Sequence, residues 1–239
     1  MRKTELLYEG KAKKVFATED PSLLIVDYKD DATAFNGAKK DTIRGKGIIN
    51  NQMSNRLMQR LGSAGVPTHF VEELSVRETL VKKVSIVPLE VIVRNISAGS
   101  FCVRYGVQEG IVFDQPTVEH SYKNDALNDP LICVPHILAL QLAKREEIDI
   151  IERYALRVNE VLRELWKRCG VTLVDFKLEF GRLPDGSIIL ADEISPDTCR
   201  LWDSETGKKL DKDRFRQDLG GVEDAYAEIM KRLEAYEKK

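Results

Sequence analysis

The chain has 239 residues, of which 43% are hydrophobic and 32% charged. That is enough apolar material for one large core or two small ones, and it excludes an extended disordered chain. A formal net charge of −2 and a pI near 6.0 exclude a global basic excess for nucleic acid. No apolar run is long enough to span a bilayer, and the first residues, MRKTELLYEGKAKK, lack the apolar core of a signal peptide. Cys102, Cys133, Cys169 and Cys199 are scattered without metal-ligand spacing. These features lead us to expect a soluble protein of a reducing, cytoplasmic compartment with no membrane or nucleic-acid partner.

In chain order, residues 6–9, 15–17 and 23–28 read as short strands of a small antiparallel sheet. The first two flank Gly10-Lys11-Ala12-Lys13-Lys14, a turn in which glycine permits close backbone approach and lysines supply point charges for phosphate. A basic turn of this kind is more often simply solvated, so these residues alone do not establish phosphate binding. Residues 33–40 read as a loop around Asn36-Gly37. Ile49, Met53, Leu57 and Leu61 recur at helical spacing, and residues 79–84 read as a further strand.

Residues 86–100, IVPLEVIVRNISAGS, alternate Leu89, Val91 and Val93 with Glu90, Ile92 and Arg94. This strand puts Glu90 and Arg94 on one face and runs into a small-residue turn, Ser97-Ala98-Gly99-Ser100. Such a turn beside an arginine suits an anion, although Glu90 and Arg94 also suit a simple exposed ion pair. Residues 103–129 show no periodicity. His69, His120 and His136 have no histidine partner at metal spacing. Ile148, Ile151, Ala155, Val158, Leu162, Leu165 and Trp166 form the apolar stripe of a long helix over 145–169, stopped by Gly170. A closing amphipathic helix is expected over 222–236.

The most informative stretch is 173–194. Val174, Phe176, Leu178 and Phe180 alternate with Asp175, Lys177 and Glu179, which predicts a strand with an apolar face and a charged face. Pro184-Asp185-Gly186-Ser187 is a turn signal before a second apolar run, so the pair reads as an antiparallel hairpin. With Asp185-Gly186 as a two-residue loop, Glu179 lies directly opposite Asp192. Two carboxylates at roughly 5 Å repel by about 3 kcal/mol at an effective dielectric of about 20. A cation between them is therefore expected: the Lys177 ammonium, or a hard divalent ion such as Mg²⁺. A slip of one residue would instead turn Asp192 away and bring Glu193 forward.

Several long motifs resemble, in order, those of the SAICAR synthetase family. They are YEGKAKKVF (8–16), IVPLEVIVRNISAGS (86–100), KNDALNDP (123–130), LVDFKLEFG (173–181), DEISPDTCRLWD (192–203) and DKDRFRQDLGG (211–221). The resemblance implies an α+β fold, with a small N-terminal antiparallel β domain over a larger C-terminal domain of sheet and helices and an ATP cleft between them. It implies a nucleotide-binding domain over 1–84 and a catalytic and substrate domain over 85–239. It further implies an ATP-dependent ligase that joins carboxyaminoimidazole ribonucleotide (CAIR) to L-aspartate, uses Mg²⁺, and forms a homodimer.

Carried over position by position, the resemblance gives ATP to Lys11, Ala12, Lys13, Val15, Lys82, Val84, Glu179 and Asp192. Glu179 and Asp192 become the Mg²⁺ ligands. Lys177, with Asp175 and Lys123, is placed among the catalytic residues. Glu90, Arg94, Ser100, Asp197, Arg200 and Arg214 are placed on the substrate side, with Arg94, Ser100 and Arg200 at the ribonucleotide 5′-phosphate. Some relatives carry Asp where this chain has Asn36, so a carboxylate role there is in question. Residues 132–144 depart from the family pattern and read as a surface connection. The rival readings are another ATP-dependent carboxylate–amine ligase, a phosphotransferase, and a nucleotide-binding module without catalysis.

Overall fold

The computed structural model describes residues 1–34 and 39–238, so position 36 lies outside the described residues. The first sheet is antiparallel, in the order β1-β2-β3-β7-β6. Its strands are β1 (Leu6–Glu9), β2 (Lys13–Ala17), β3 (Leu23–Tyr28), β6 (Phe70–Glu73) and β7 (Glu78–Lys82). Between β3 and β6 lie the paired strands β4 (Asp31–Ala34) and β5 (Lys39–Thr42), followed by α1 (Lys46–Ser63). Thr33, Lys39 and Lys40, expected in a loop, belong to that hairpin.

The second sheet is ordered β11-β10-β8-β9, with β12 also paired to β10. It comprises β8 (Ser85–Ile96), β9 (Val112–Tyr122), β10 (Val171–Arg182), β11 (Ile188–Ala191) and β12 (Cys199–Asp203). The helices are α2 (Ser100–Tyr105), α3 (Val134–Ala139), α4 (Arg145–Arg168), α5 (Asp213–Arg216) and α6 (Val222–Glu237). The fold is therefore α+β. The expected helix stripe is fully buried on α4, and it packs on β10 together with Leu89, Val91 and Val93 of β8. Met53, Leu57, Met58 and Leu61 of α1 join the same core, as do Ile229 and Leu233 of α6.

Four further details differ from the sequence reading, each for a local reason. Pro184 has no N–H to close a two-residue turn, so Leu183 N–H bonds Ser187 O at 2.9 Å around a Pro184-Asp185-Gly186 loop. The hairpin register moves by one, and Glu179 faces Ala191 rather than Asp192. Val174 is a bulge residue: Leu173 pairs with Leu201 and Asp175 with Arg200. It leaves the main core and packs with Ile96, Ala98 and Trp202. Residues 112–122 form an edge strand whose central Pro116 hid it, because proline is tolerated only where no inward N–H is needed. Residues 132–144 hold α3, and fully buried Ile137 ties that segment into the core.

The strand β10 has β8 along one edge. Its other edge is shared by β12, which pairs through Phe176, and β11, which starts pairing at Glu179. The backbone between them bonds the returning loop instead, with Lys177 N–H donating to Thr198 O at 2.9 Å. This gap places residues 192–198 against Lys177.

The start of α1 is capped from a distance. Asp30 Oδ1 accepts the Gly47 N–H at 2.9 Å and its Oδ2 accepts the Gly45 N–H at 3.2 Å, while Arg77 grips both oxygens at 2.8 and 2.9 Å.

Two outcomes follow for stability. Replacement of Leu162 by Ala lowers the unfolding free energy by about 2–5 kcal/mol, whereas Leu156→Ala on the exposed face costs less than about 1 kcal/mol, as urea titration would read. The Arg77 bond, against a smaller burial cost, lowers the Asp30 pKa to about 2. A depressed carboxylate stabilises the fold above its unfolded value and loses that contribution as pH falls through the folded one. Wild type should exceed Asp30→Asn by about 2 kcal/mol at pH 7, with the difference shrinking from about pH 4 towards pH 2.

Candidate active site

A cleft of about 1360 Å³ lies between the two sheets. One wall is apolar: Val15, Leu24, Val26, Val81 and Val84, from β2, β3, β7 and the residues after it, with Ala12 at the turn. Lys82 stands at its rim, and Lys11 and Lys13 lie beside it. The connection between the two sheets packs tightly on β10 at Gly181, where a Cβ would sit 2.3 Å from Val84 Cγ2.

The opposite wall is ionic. The Lys177 ammonium is 2.7 Å from Glu179 Oε1, 2.9 Å from Glu90 Oε1 and 4.0 Å from Asp192 Oδ2. Lys123 reaches the same Glu179 oxygen at 2.8 Å, and Lys13 bonds Asp192 and lies 3.0 Å from Glu193. The register shift would by itself turn Asp192 away. Instead Asp192 ends the strand in the left-handed region, φ 57°, and this rotates its carboxylate back into the cluster while Glu193 also comes forward.

Burial disfavours the Lys177 charge, but Glu179, Asp192 and Glu90 outweigh it and raise its pKa. For Asp192 burial is again the largest influence, and Lys13 and Lys177 overcome it, holding the carboxyl well below the usual range. Among the described residues, four carboxylates here meet three ammonium groups, leaving an excess of negative charge. Hard oxygen donors with a cation already seated among them suit a divalent ion. No group of three or more His, Cys, Asp or Glu among the described residues is placed to hold a metal by itself. A divalent ion held here would need further oxygen ligands from its own complex, as a metal–phosphate would supply.

Arg94, Ser100 and Arg200 lie together beside the ionic wall and are not among the residues that line the cleft. Arg94 Nη2 donates to Ser100 Oγ at 3.2 Å, and its guanidinium also meets Asp175 and Glu119. Arg200 bonds Asp175 at 2.9 Å and Asp213 at 2.8 Å. Asp175 thus orients two guanidinium groups. Gly99 is required beside them: its φ is +54°, and a Cβ would lie 2.3 Å from Arg200 Nη2.

Arg214 does not join the cleft. Its guanidinium is spent on the carbonyls of Lys209, Leu219 and Gly220, and its neighbours Lys212 and Arg216 line the cleft instead. Residues four apart share one side of a helical turn, which is why the flanking pair faces in. Asp197 also lines the cleft, with its carboxylate fully engaged by Lys46, Lys212 and Tyr226. Lys11 pairs with Asp125 across the mouth at 3.2 Å.

The sequence reading passed over His69, Lys212 and Arg216 as lining residues, and named Glu193 only as the residue that a one-residue register slip would bring forward. His69 is kept neutral by burial, its pKa pulled down to about 4. Nothing local marks it, since Lys13, His69 and Asp192 come from separate segments. A lysine and an arginine four apart in KDRFR was the one available signal for the other pair.

The comparisons agree with this architecture. A family model described as SAICAR synthetase matches residues 6–233. A phosphoribosylaminoimidazole-succinocarboxamide synthase of Lachnoclostridium phytofermentans is 63% identical over 98% of this chain and 99% of its own. The crystal structure of the synthase from Ehrlichia chaffeensis superposes with a TM-score of 0.95 at 48% identity, over 97% of this chain and 99% of that one. A SAICAR synthetase in complex with ADP gives a TM-score of 0.93 at 48% identity, covering 96% of this chain and 97% of that one. With its cleft, its ordered motifs and its full-length relatives in agreement, the chain belongs to the SAICAR synthetase family, and is a ligase of purine biosynthesis.

Proposed function

We propose that this cleft joins the carboxylate of CAIR to the amine of L-aspartate, with ATP cleaved to ADP and phosphate. A carboxylate is a poor acyl donor, so its activation as an acyl phosphate precedes attack by the amine. The observation that carries the reading is the Lys177 ammonium seated between Glu179, Glu90 and Asp192 at the end of an apolar sleeve.

The sleeve of Val15, Val84 and their neighbours receives the adenine, with Ala12 and Lys82 at its edge. Lys11 and Lys13 hold phosphate oxygens as point charges. Glu179 and Asp192 would hold Mg²⁺, which would supply positive charge against the phosphate oxygens. Lys177 keeps its proton, as its raised pKa requires, and acts by charge at the reacting carboxylate rather than as a base. Lys123 shares Glu179 with it and adds a second positive charge.

Arg94, Ser100 and Arg200 receive the 5′-phosphate, held in orientation by Asp175. Glu90 accepts from the imidazole amine. We place the nucleotide-binding part in residues 1–84 and the substrate part in 85–239, and infer a cytoplasmic homodimer by family likeness.

The test is ADP release from ATP and Mg²⁺, with CAIR and L-aspartate added singly and together. Release should require both and yield one succinocarboxamide per ADP. In Glu179→Gln it should fall by at least about a hundredfold. ADP release indifferent to either co-substrate, or full activity in Glu179→Gln, would overturn the assignment.

A further inference from the structure

Asp197 does not present a free carboxylate to the cleft. Its Oδ1 accepts the Tyr226 hydroxyl at 2.6 Å, and its Oδ2 is shared by Lys46 Nζ at 2.9 Å and Lys212 Nζ at 3.2 Å. Its backbone N–H donates to Ser195 Oγ at 3.1 Å, and Ser195 Oγ in turn donates to Glu193 at 2.6 Å. The Lys212 N–H closes the loop on Pro196 O at 3.0 Å. Tyr226 of α6 and Lys46 of α1 are both fully buried, and neither lines the cleft. Of the groups around the carboxylate, Lys212 is the one that reaches it.

A buried lysine is costly unless paired, so an arrangement that spends Lys46 on Asp197 calls for a reason beyond packing. Lys212 supplies one. Its stem is flexible, and its ammonium takes a defined place only if the partner carboxylate cannot rotate. Two oxygens pinned from two different helices, α1 and α6, remove that rotation. Burial lowers the Lys212 pKa and Asp197 opposes it, so a second anion brought to the same ammonium is favoured.

We infer that Tyr226 and Lys46 are positioning residues: they lock Asp197 so that Lys212, beside Arg216, is held ready for a carboxylate of the amino-acid substrate. The inference rests on the proposed ligase reading. The location fits the amine donor. This wall continues into Thr198, whose carbonyl takes the Lys177 N–H, so it adjoins the reacting group. The adenine sleeve lies elsewhere, and Arg94 and Arg200 meet at Asp175; Asp213 joins that cluster to this one, since its Oδ2 accepts from Arg200 at 2.8 Å and its Oδ1 from Arg216 at 2.6 Å. A dicarboxylate needs two cations, and Lys212 and Arg216 stand one helical turn apart.

The experiment is steady-state kinetics of Tyr226→Phe, Lys212→Met and the double variant, with L-aspartate varied at saturating ATP and CAIR. Tyr226→Phe keeps the buried ring and loses only the hydroxyl. It should raise the KM for L-aspartate about tenfold and leave the KM values for ATP and CAIR within about twofold. The double variant should be no worse than Lys212→Met alone, because Tyr226 acts through Lys212. Lys46→Met, if it folds, should reproduce the Tyr226→Phe pattern. A Tyr226→Phe protein with lowered Tm and unmoved KM for L-aspartate would overturn the inference, as would effects that multiply in the double variant. Wild type inactive with L-aspartate would overturn the ligase assignment and this inference together, whereas an active wild type with an insensitive Tyr226→Phe would overturn this inference alone.

Discussion

The site depends on charge balance at a break in a sheet. At Lys177 neither β11 nor β12 pairs with β10, and the returning loop takes over the backbone hydrogen bond. A continuous strand along this edge would leave no room for residues 192–198. The break brings Asp192, Glu193 and Asp197 to one side of β10, and the lysines Lys13, Lys123 and Lys177 make that concentration of carboxylates tolerable. Repulsion among close acids in a partly buried place is several kcal/mol without such partners.

The rest of the fold holds that break in place. α4 covers the apolar face of β8 and β10, so the charged face has one direction left, towards the first sheet. Asp30 and Arg77 fix the start of α1, and α1 carries Lys46 to Asp197. α6 contributes Tyr226 to the same carboxylate. Helices remote from the cleft thus set the geometry of a loop inside it, and rigid packing transmits their positions because the core is close-packed.

The cationic groups divide into two kinds of work. Arg94 and Arg200 are planar, always charged and oriented by Asp175, which suits a phosphate held in a fixed pose. Lys11, Lys13, Lys123, Lys177 and Lys212 are point charges on flexible stems, each seated against a carboxylate. Such ammonium groups can exchange one anion for another as charge moves during transfer.

Much of this was legible in the chain. The alternation of Leu89, Val91 and Val93 and the stripe of α4 follow from the periods of strand and helix, which side-chain chemistry alone determines. The placing of Lys177 and Glu179 on one face of their strand, and of Glu90 and Arg94 on one face of theirs, follows from the same rule, whereas the pairing that sets Glu90 opposite Glu179 was decided by the tertiary structure. What only the tertiary structure decided was everything that depends on an irregular backbone or on distant segments. Pro184 moved the hairpin register by one, and the left-handed Asp192 undid the consequence at the site. Pro116 concealed an edge strand, and a bulge at Val174 moved one apolar residue out of the main core. Lys46 and Tyr226 meet Asp197 from far along the chain, and His69 meets Asp192 in the same way. Periodicity reports which face a residue occupies, but not which distant face it meets. That meeting is set by packing.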